Sequence, residues 1–240
     1  MDNPTYVGLT RQSGLMREMQ VVANNIANMA TTGYRREGVI FAEHVAATGP
    51  GDPSLSMGNA VGRRISPVQG AISATGGQFD IAIEGDGFFL VETPEGEALT
   101  RAGNFIRNEV GELVTVNGHR LLDAGGAPVF VPATAQSVAL SGDGTLSADG
   151  QPLTRIGAWG PVDPTELSRR SGTLFLAASG VEPLNGARFV HRALEASNVN
   201  PVAEIARMIE VQRAYELGQS FLDAEDGRVR DFLRTVGARA

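Results

Sequence analysis

The sequence predicts an α+β fold: an all-β central domain of many short strands, sandwich- or barrel-like, with long N- and C-terminal α-helices that pair in a coiled-coil-like assembly core. Three observations predict it. Leu15, Met19, Val22, Ile26 and Met29 step by 4, 3, 4 and 3 residues, which keeps side chains on one narrow helical seam. Between residues 79 and 132, turn signals recur about every 8–12 residues between short apolar runs, the pattern of sandwiches and barrels rather than βαβ units. From Asn200 to about Val236 a second helical pattern closes the chain.

The first helix starts where Asn3 can cap and Pro4 can occupy the first helical position, at which the missing N–H costs nothing. It is expected to reach about Asn28. Gly14 inside it costs about 1 kcal/mol relative to Ala, so packing has to stabilise it. Thr31-Thr32-Gly33 stops it, because β-branched residues and a Gly that accepts positive φ favour a turn. Residues 37–78 read as a mixed, extended linker, with Pro50, Gly51, Pro53 and Gly58 marking an exposed loop over 49–62.

Phe79, Ile81 and Ile83 then alternate with Asp80, Ala82 and Glu84, and Gly85-Asp86-Gly87 turns the chain into Phe88-Phe89-Leu90-Val91. Leu113–Val116 and Val129–Val131 follow as strands, and Gly142-Asp143-Gly144 and Asp149-Gly150 are hairpin signals further on. Asn200-Pro201 repeats the cap-plus-proline device at the head of a helix of about 35 residues, ~52 Å long. Val202, Ile205 and Ile209 give it one apolar stripe, and Met208, Val211, Tyr215 and Leu222 a neighbouring one, interrupted by Gly218 and Gly227. The chain divides on this reading into an assembly helix and turn (1–36), the linker (37–78), a β-rich domain (79–190) and a second assembly helix (191–240).

Composition narrows function. The 240 residues carry a net charge of −7, which opposes a phosphate-backbone binder dependent on a basic stripe. All 20 basic residues are Arg, and none of the chain is Cys, so thiolate metal sites, disulfides and Cys nucleophiles are excluded. The N-terminus shows no basic region followed by an apolar run, and no stretch approaches the ~20 apolar residues of a membrane span.

The catalytic possibilities fail on spacing. Asp80 and Glu84 share a strand face, but an i,i+4 pair there lies ~13 Å apart, beyond the ~5–9.5 Å of paired carboxylates in glycoside hydrolysis. His44, His119 and His191 are scattered, with no neighbour at metal-ligand spacing. No Ser sits in a nucleophile elbow, and the Gly-Asp-Gly tripeptides lack the rest of a calcium or phosphate loop. No catalytic, metal or cofactor residue is expected.

Three ordered blocks carry a resemblance. Ala23–Asn28 followed by Thr31–Arg35; Asp80–Ile83, Gly87–Phe89, Thr100–Phe105 and Gly111–Thr115; and Ala193–Val199 with Gln212–Glu216 together resemble the bacterial flagellar axial proteins that build the basal-body rod and hook. The opening Asp2, Tyr6–Leu9 and Arg17–Met19 look most like the family's F-type proximal-rod branch, with the distal-rod branch as the alternative. The resemblance implies a non-enzymatic structural subunit of the rod, located in the basal body, exported without a cleaved leader by the flagellar type III apparatus, and transmitting motor torque. Its implied partners are proximal and distal rod subunits and further copies of itself in a helical tube, with neither nucleic acid nor membrane insertion.

The residues expected at that interface are Leu15, Met19, Val22, Asn24, Asn25, Ile26 and Asn28 on the first helix and Ile205, Ile209, Arg213 and Tyr215 on the last. Polar Asn within such a seam can set register. A soluble β-rich binding module with oligomerising helices is the reading from a different class, and an enzyme acting on the cell wall a third.

Overall fold

The computed structural model describes residues 3–46 and 55–237, so Pro50, Gly51 and Pro53 of the expected loop lie outside the described residues. The chain forms two compact units, one drawn from Met1–Ala27, Glu37–Arg64 and Asn200–Ala240, the other from Asn28–Arg36 and Ile65–Val199.

The first unit holds two helices, α1 (Asn3–Ala27) and α2 (Pro201–Gly237), and a two-stranded ribbon of Glu37–Ala46 and Leu55–Ile65. From Leu55 onward the expected loop is strand. Gly58 and Gly62 weaken a strand but keep their N–H groups, so a ladder can run through them. The start of α2 follows the sequence: the Asn200 side-chain oxygen accepts the N–H groups of Val202 (3.1 Å) and Ala203 (3.2 Å), and Pro201 fills the first helical position.

The second unit is β-rich. Its largest sheet is antiparallel and runs in the order Leu167–Ser171, Leu174–Ala177, Gly96–Thr100, Phe89–Thr93, Arg120–Leu121, Leu113–Val114, Ile106–Arg107. The run Phe89-Leu90-Val91 shows why a continuously apolar strand belongs at its centre. Successive side chains point to opposite faces; Phe89 and Val91 enter the main core with Ile81, Ile83 and Ile156, while Leu90 enters a second cluster with Leu99 and Phe175. Both faces are covered.

A three-stranded meander, Val138–Leu140, Thr145–Ala148 and Gln151–Arg155, follows the two Asp-Gly turns read from the sequence. Val129–Val131 is a correction to that reading. It forms no ladder, only an isolated antiparallel bridge of Phe130 with Glu112 made by Leu113 N–H to Val129 O (2.9 Å) and Val131 N–H to Gly111 O (2.8 Å), with Val129 N–H donating to Leu121 O on the other side. Pairs of strands distant in sequence close the unit: Ile81–Glu84 with Arg188–His191, Ile72–Ala74 with Ala193–Glu195, and Ala158–Pro161 with Val181–Leu184.

Two glycines are dictated by close approach. Gly33, at φ +68°, would place a Cβ 2.3 Å from the backbone nitrogen of Ala102, and a Cβ on Gly103 would lie 1.6 Å from the carbonyl oxygen of Ile81. The first is the stop signal after α1, here pressed against the β-unit's own backbone.

Candidate assembly surface

α1 and α2 pack antiparallel, as their contacts run in opposite chain directions. Gly8 faces Leu222, Gln12 faces Gly218, Glu18 meets Arg207 and Asn25 meets Glu204. A Cβ on Gly218 would lie 2.4 Å from Nε2 of Gln12, and one on Gly8 2.8 Å from Leu222. The glycine that interrupts the apolar stripe is therefore the hole into which Gln12 fits, with Gln12 Nε2 donating to Tyr215 O at 2.9 Å. Arg207 donates from Nε to Glu18 at 2.7 Å, and this bond, more than burial opposes it, holds the guanidinium above its ordinary pKa.

The face of α2 turned inward carries Glu204 and Val211, both buried, with Met208, Tyr215, Gly218 and Leu222 half-buried between and beyond them. These positions step by 4, 3, 4, 3 and 4 residues, so the second of the two sequence stripes is the intrachain one. Val202, Ile205 and Ile209 remain exposed at 77%, 51% and 44%. Leu9 and Met16, seven residues apart on α1, are likewise exposed.

The expected interface residues divide accordingly. Val22 is buried, and Leu15, Met19, Ile26, Asn28 and Tyr215 are half-buried; Asn24, Ile205, Ile209 and Arg213 face outward. Asn25 departs from its expected place at a subunit boundary. It is wholly buried in its own chain, its amide donating to Glu37 O (2.8 Å) and Glu204 Oε2 (3.1 Å) and its carbonyl accepting from Glu37 N–H (3.0 Å). One side chain thus ties α1, the ribbon and α2. Asn28 serves the turn, accepting Thr31 N–H (3.1 Å) and Thr31 Oγ1–H (3.1 Å).

Sequence reasoning missed the polar members of this packing, Gln12, Glu18, Glu37, Glu204 and Arg207. For Glu204 a signal was present, since it stands four residues ahead of Met208 and seven ahead of Val211 on the same stripe.

Residues 31–36, the second half of the N-terminal motif, belong to the β-unit. Arg35 is buried and lies 3.1 Å from Glu195, whose other oxygen is 3.4 Å from Arg101, also buried. Arg35 donates to the carbonyls of Pro67 (2.8 Å) and Val68, and Arg101 to those of Ile83 (3.0 Å) and Gly85. Glu195 also accepts Gly70 N–H at 3.0 Å. Burial pulls the Arg101 guanidinium down to about 10, with Glu195 opposing the shift, and lowers Arg35 for the same reason. Above Tyr34, Arg169 stacks between two rings, 4.2 Å from the Tyr34 centroid and 4.8 Å from that of Phe175. Among the described residues there is no acidic or histidine cluster able to hold a metal ion, and no helix long and apolar enough to cross a membrane.

Known proteins carry the same blocks. Residues 6–35 match the family "Flagella basal body rod protein", 82–148 match "Flagellar hook protein FlgE/F/G D1 domain", and 191–232 match "Flagellar basal body rod FlgEFG protein C-terminal". The flagellar basal-body rod protein FlgF of Mesorhizobium japonicum is 36% identical with all of both chains covered. In Caulobacter vibrioides, FlgF is 38% identical over 99% of each chain, whereas FlgG is 34% identical over 90% of this chain and 94% of its own. Helical ends that pair with each other, a β-unit between them and full-length similarity all agree: the chain belongs to the flagellar basal-body rod proteins, and within that family to the F type.

Proposed function

We propose that this structural subunit of the proximal rod uses α1 and α2 twice, once to hold each other and once to hold neighbouring subunits. The carrying observation is the apolar stripe of α2 that does not face α1. Val202, Ile205 and Ile209 lie outside the intrachain packing, exposed in the free chain, and contiguous exposed apolar side chains on a helix call for a partner surface. Leu9 and Met16 on α1 supply a matching outward stripe, with Asn24 and Arg213 alongside. Heterologous contacts of this kind, repeated without closing, generate a helical tube, and a tube of laterally packed helices can carry torque from motor to hook.

FlgG relatives are similar to this chain at 29% and 34% identity over 95% and 90% of its length, which supports co-assembly of this subunit with distal-rod subunits as well as with itself. Delivery to the rod by the flagellar type III export apparatus completes the reading. Its test is Ile209→Asp. The monomer is expected to keep its stability within about 0.5 kcal/mol, as for an exposed substitution, yet to fail to co-polymerise with a distal-rod subunit and to leave cells non-motile. Normal assembly and motility with Ile209→Asp would sink the proposal.

A further inference from the structure

We propose that Asn185 is a site of spontaneous deamidation, and that Asn117, in the chain's other Asn-Gly dipeptide, is shielded from the same reaction by the fold. The chemistry needs only water. The backbone nitrogen of the following glycine gives up its proton to solvent and bonds to the Asn side-chain carbonyl carbon, whose C–N bond breaks to release ammonia. The resulting five-membered succinimide takes up one water at either carbonyl and opens to aspartate or to isoaspartate, with no change of oxidation state. The glycine matters because a side chain on that residue would crowd the ring as it closes.

Solvent access does not distinguish the two sites, since Asn117, Gly118, Asn185 and Gly186 are all exposed. The attacking nitrogen does. Gly118 N–H donates to Thr115 O at 2.8 Å, closing the turn between Leu113–Val114 and Arg120–Leu121. Thr115 N–H donates to His119 O at 2.8 Å, and His119 N–H to Thr115 Oγ1 at 3.1 Å, so the turn is braced on both sides. For Gly118 to attack, its hydrogen bond has to break and the hairpin has to open.

Gly186 N–H makes no hydrogen bond to any described residue, and the Asn185 side chain makes none either. The pair lies between two different ladders, Ala158–Pro161 with Val181–Leu184 and Ile81–Glu84 with Arg188–His191. A Cβ on either Gly186 or Gly118 would meet nothing within 4 Å, so the contrast between the sites rests on the hydrogen bond of the attacking nitrogen. The reaction has a structural consequence at this place. Isoaspartate adds one methylene to the main chain between Leu184, which packs on the main core, and the register pair Arg188↔Glu84.

The test is peptide mapping by mass spectrometry of the full chain aged at mildly alkaline pH, folded and in denaturant. In the folded protein, Asn185 is expected to gain the mass of deamidation about tenfold faster than Asn117, the factor that one retained hydrogen bond of ~1.4 kcal/mol supplies. In denaturant the ratio is expected to fall toward one, which separates the fold from the identity of the preceding residue, Leu184 or Val116. Asn185→Ala should abolish the early product and leave Asn117 as slow as before. Equal rates in the folded chain, faster conversion of Asn117, or a ratio that survives denaturation would each overturn the proposal.

Discussion

Replacing Asn25 by Ala tests whether one buried amide organises the helical unit. The change removes two bonds to the Glu37 backbone and one to the Glu204 carboxylate. Neutral bonds are worth about 0.5–1.5 kcal/mol each and a bond to a charged group about 1.5–3 kcal/mol. The site is fully buried, so water does not readily replace them, and the expected loss is about 3–5 kcal/mol. Helical circular dichroism followed through a urea titration reads it. At a slope of ~2 kcal/mol per molar, the midpoint should fall by roughly 2 M. Asn25→Asp sharpens the test: it keeps the acceptor for Glu37 N–H but sets a second carboxylate against Glu204, and should be at least as damaging as Ala. Gln20→Ala, on the exposed face of the same helix, should stay within about 0.5 kcal/mol. A loss below about 1 kcal/mol for Asn25→Ala, or an Asp variant as stable as wild type, would refute the reasoning.

Glu195→Gln should cost about 3–5 kcal/mol in thermal or chemical unfolding of the β-unit, because it leaves two buried guanidinium groups without their shared carboxylate. Gly103→Ala should leave little folded protein, judged by aggregation and lost amide dispersion, since its methyl would overlap the Ile81 carbonyl. Asp123 provides a pH test. Partial burial would raise its pKa, but hydrogen bonds from Thr154 and the N–H groups of Ala127, Gly125 and Gly126 together hold it below the ordinary 3.8. Its contribution is therefore present above that unfolded value and lost as pH falls through the folded one. Acid titration below about pH 4 should narrow the stability gap between wild type and Asp123→Ala.

The local devices of this fold were legible because they are short in sequence. Asn200-Pro201 announces α2, Thr31-Thr32-Gly33 ends the first motif, and the Asp143 and Asp149 turns place the meander. Long-range pairings were not. Nothing near Arg35 names Glu195 as its partner, and nothing in Asn25 distinguishes an intersubunit role from bonds to Glu37 and Glu204. The two stripes of α2 were both visible, but both obey helical spacing. What decides which one faces α1 is the fit of Gln12 against Gly218, a match between residues on opposite ends of the chain. Val129–Val131 failed as a ladder because three apolar residues specify burial without specifying a neighbour.

The way the β-unit is closed also bears on when it can fold. Its strands at 72–74 and 81–84 find their partners only at 193–195 and 188–191, and the buried charge cluster draws Arg35, Arg101 and Glu195 from three distant stretches. Such contacts raise contact order and slow folding, since long loops must close before any of them forms. A chain emerging from its N-terminus therefore lacks, until roughly its last fifth has appeared, the pieces that complete either ladder. Vectorial synthesis thus leaves these two ladders and the charge cluster open until residues 188–195 have appeared, while local hairpins such as that of Phe89–Thr93 with Gly96–Thr100 need no such wait.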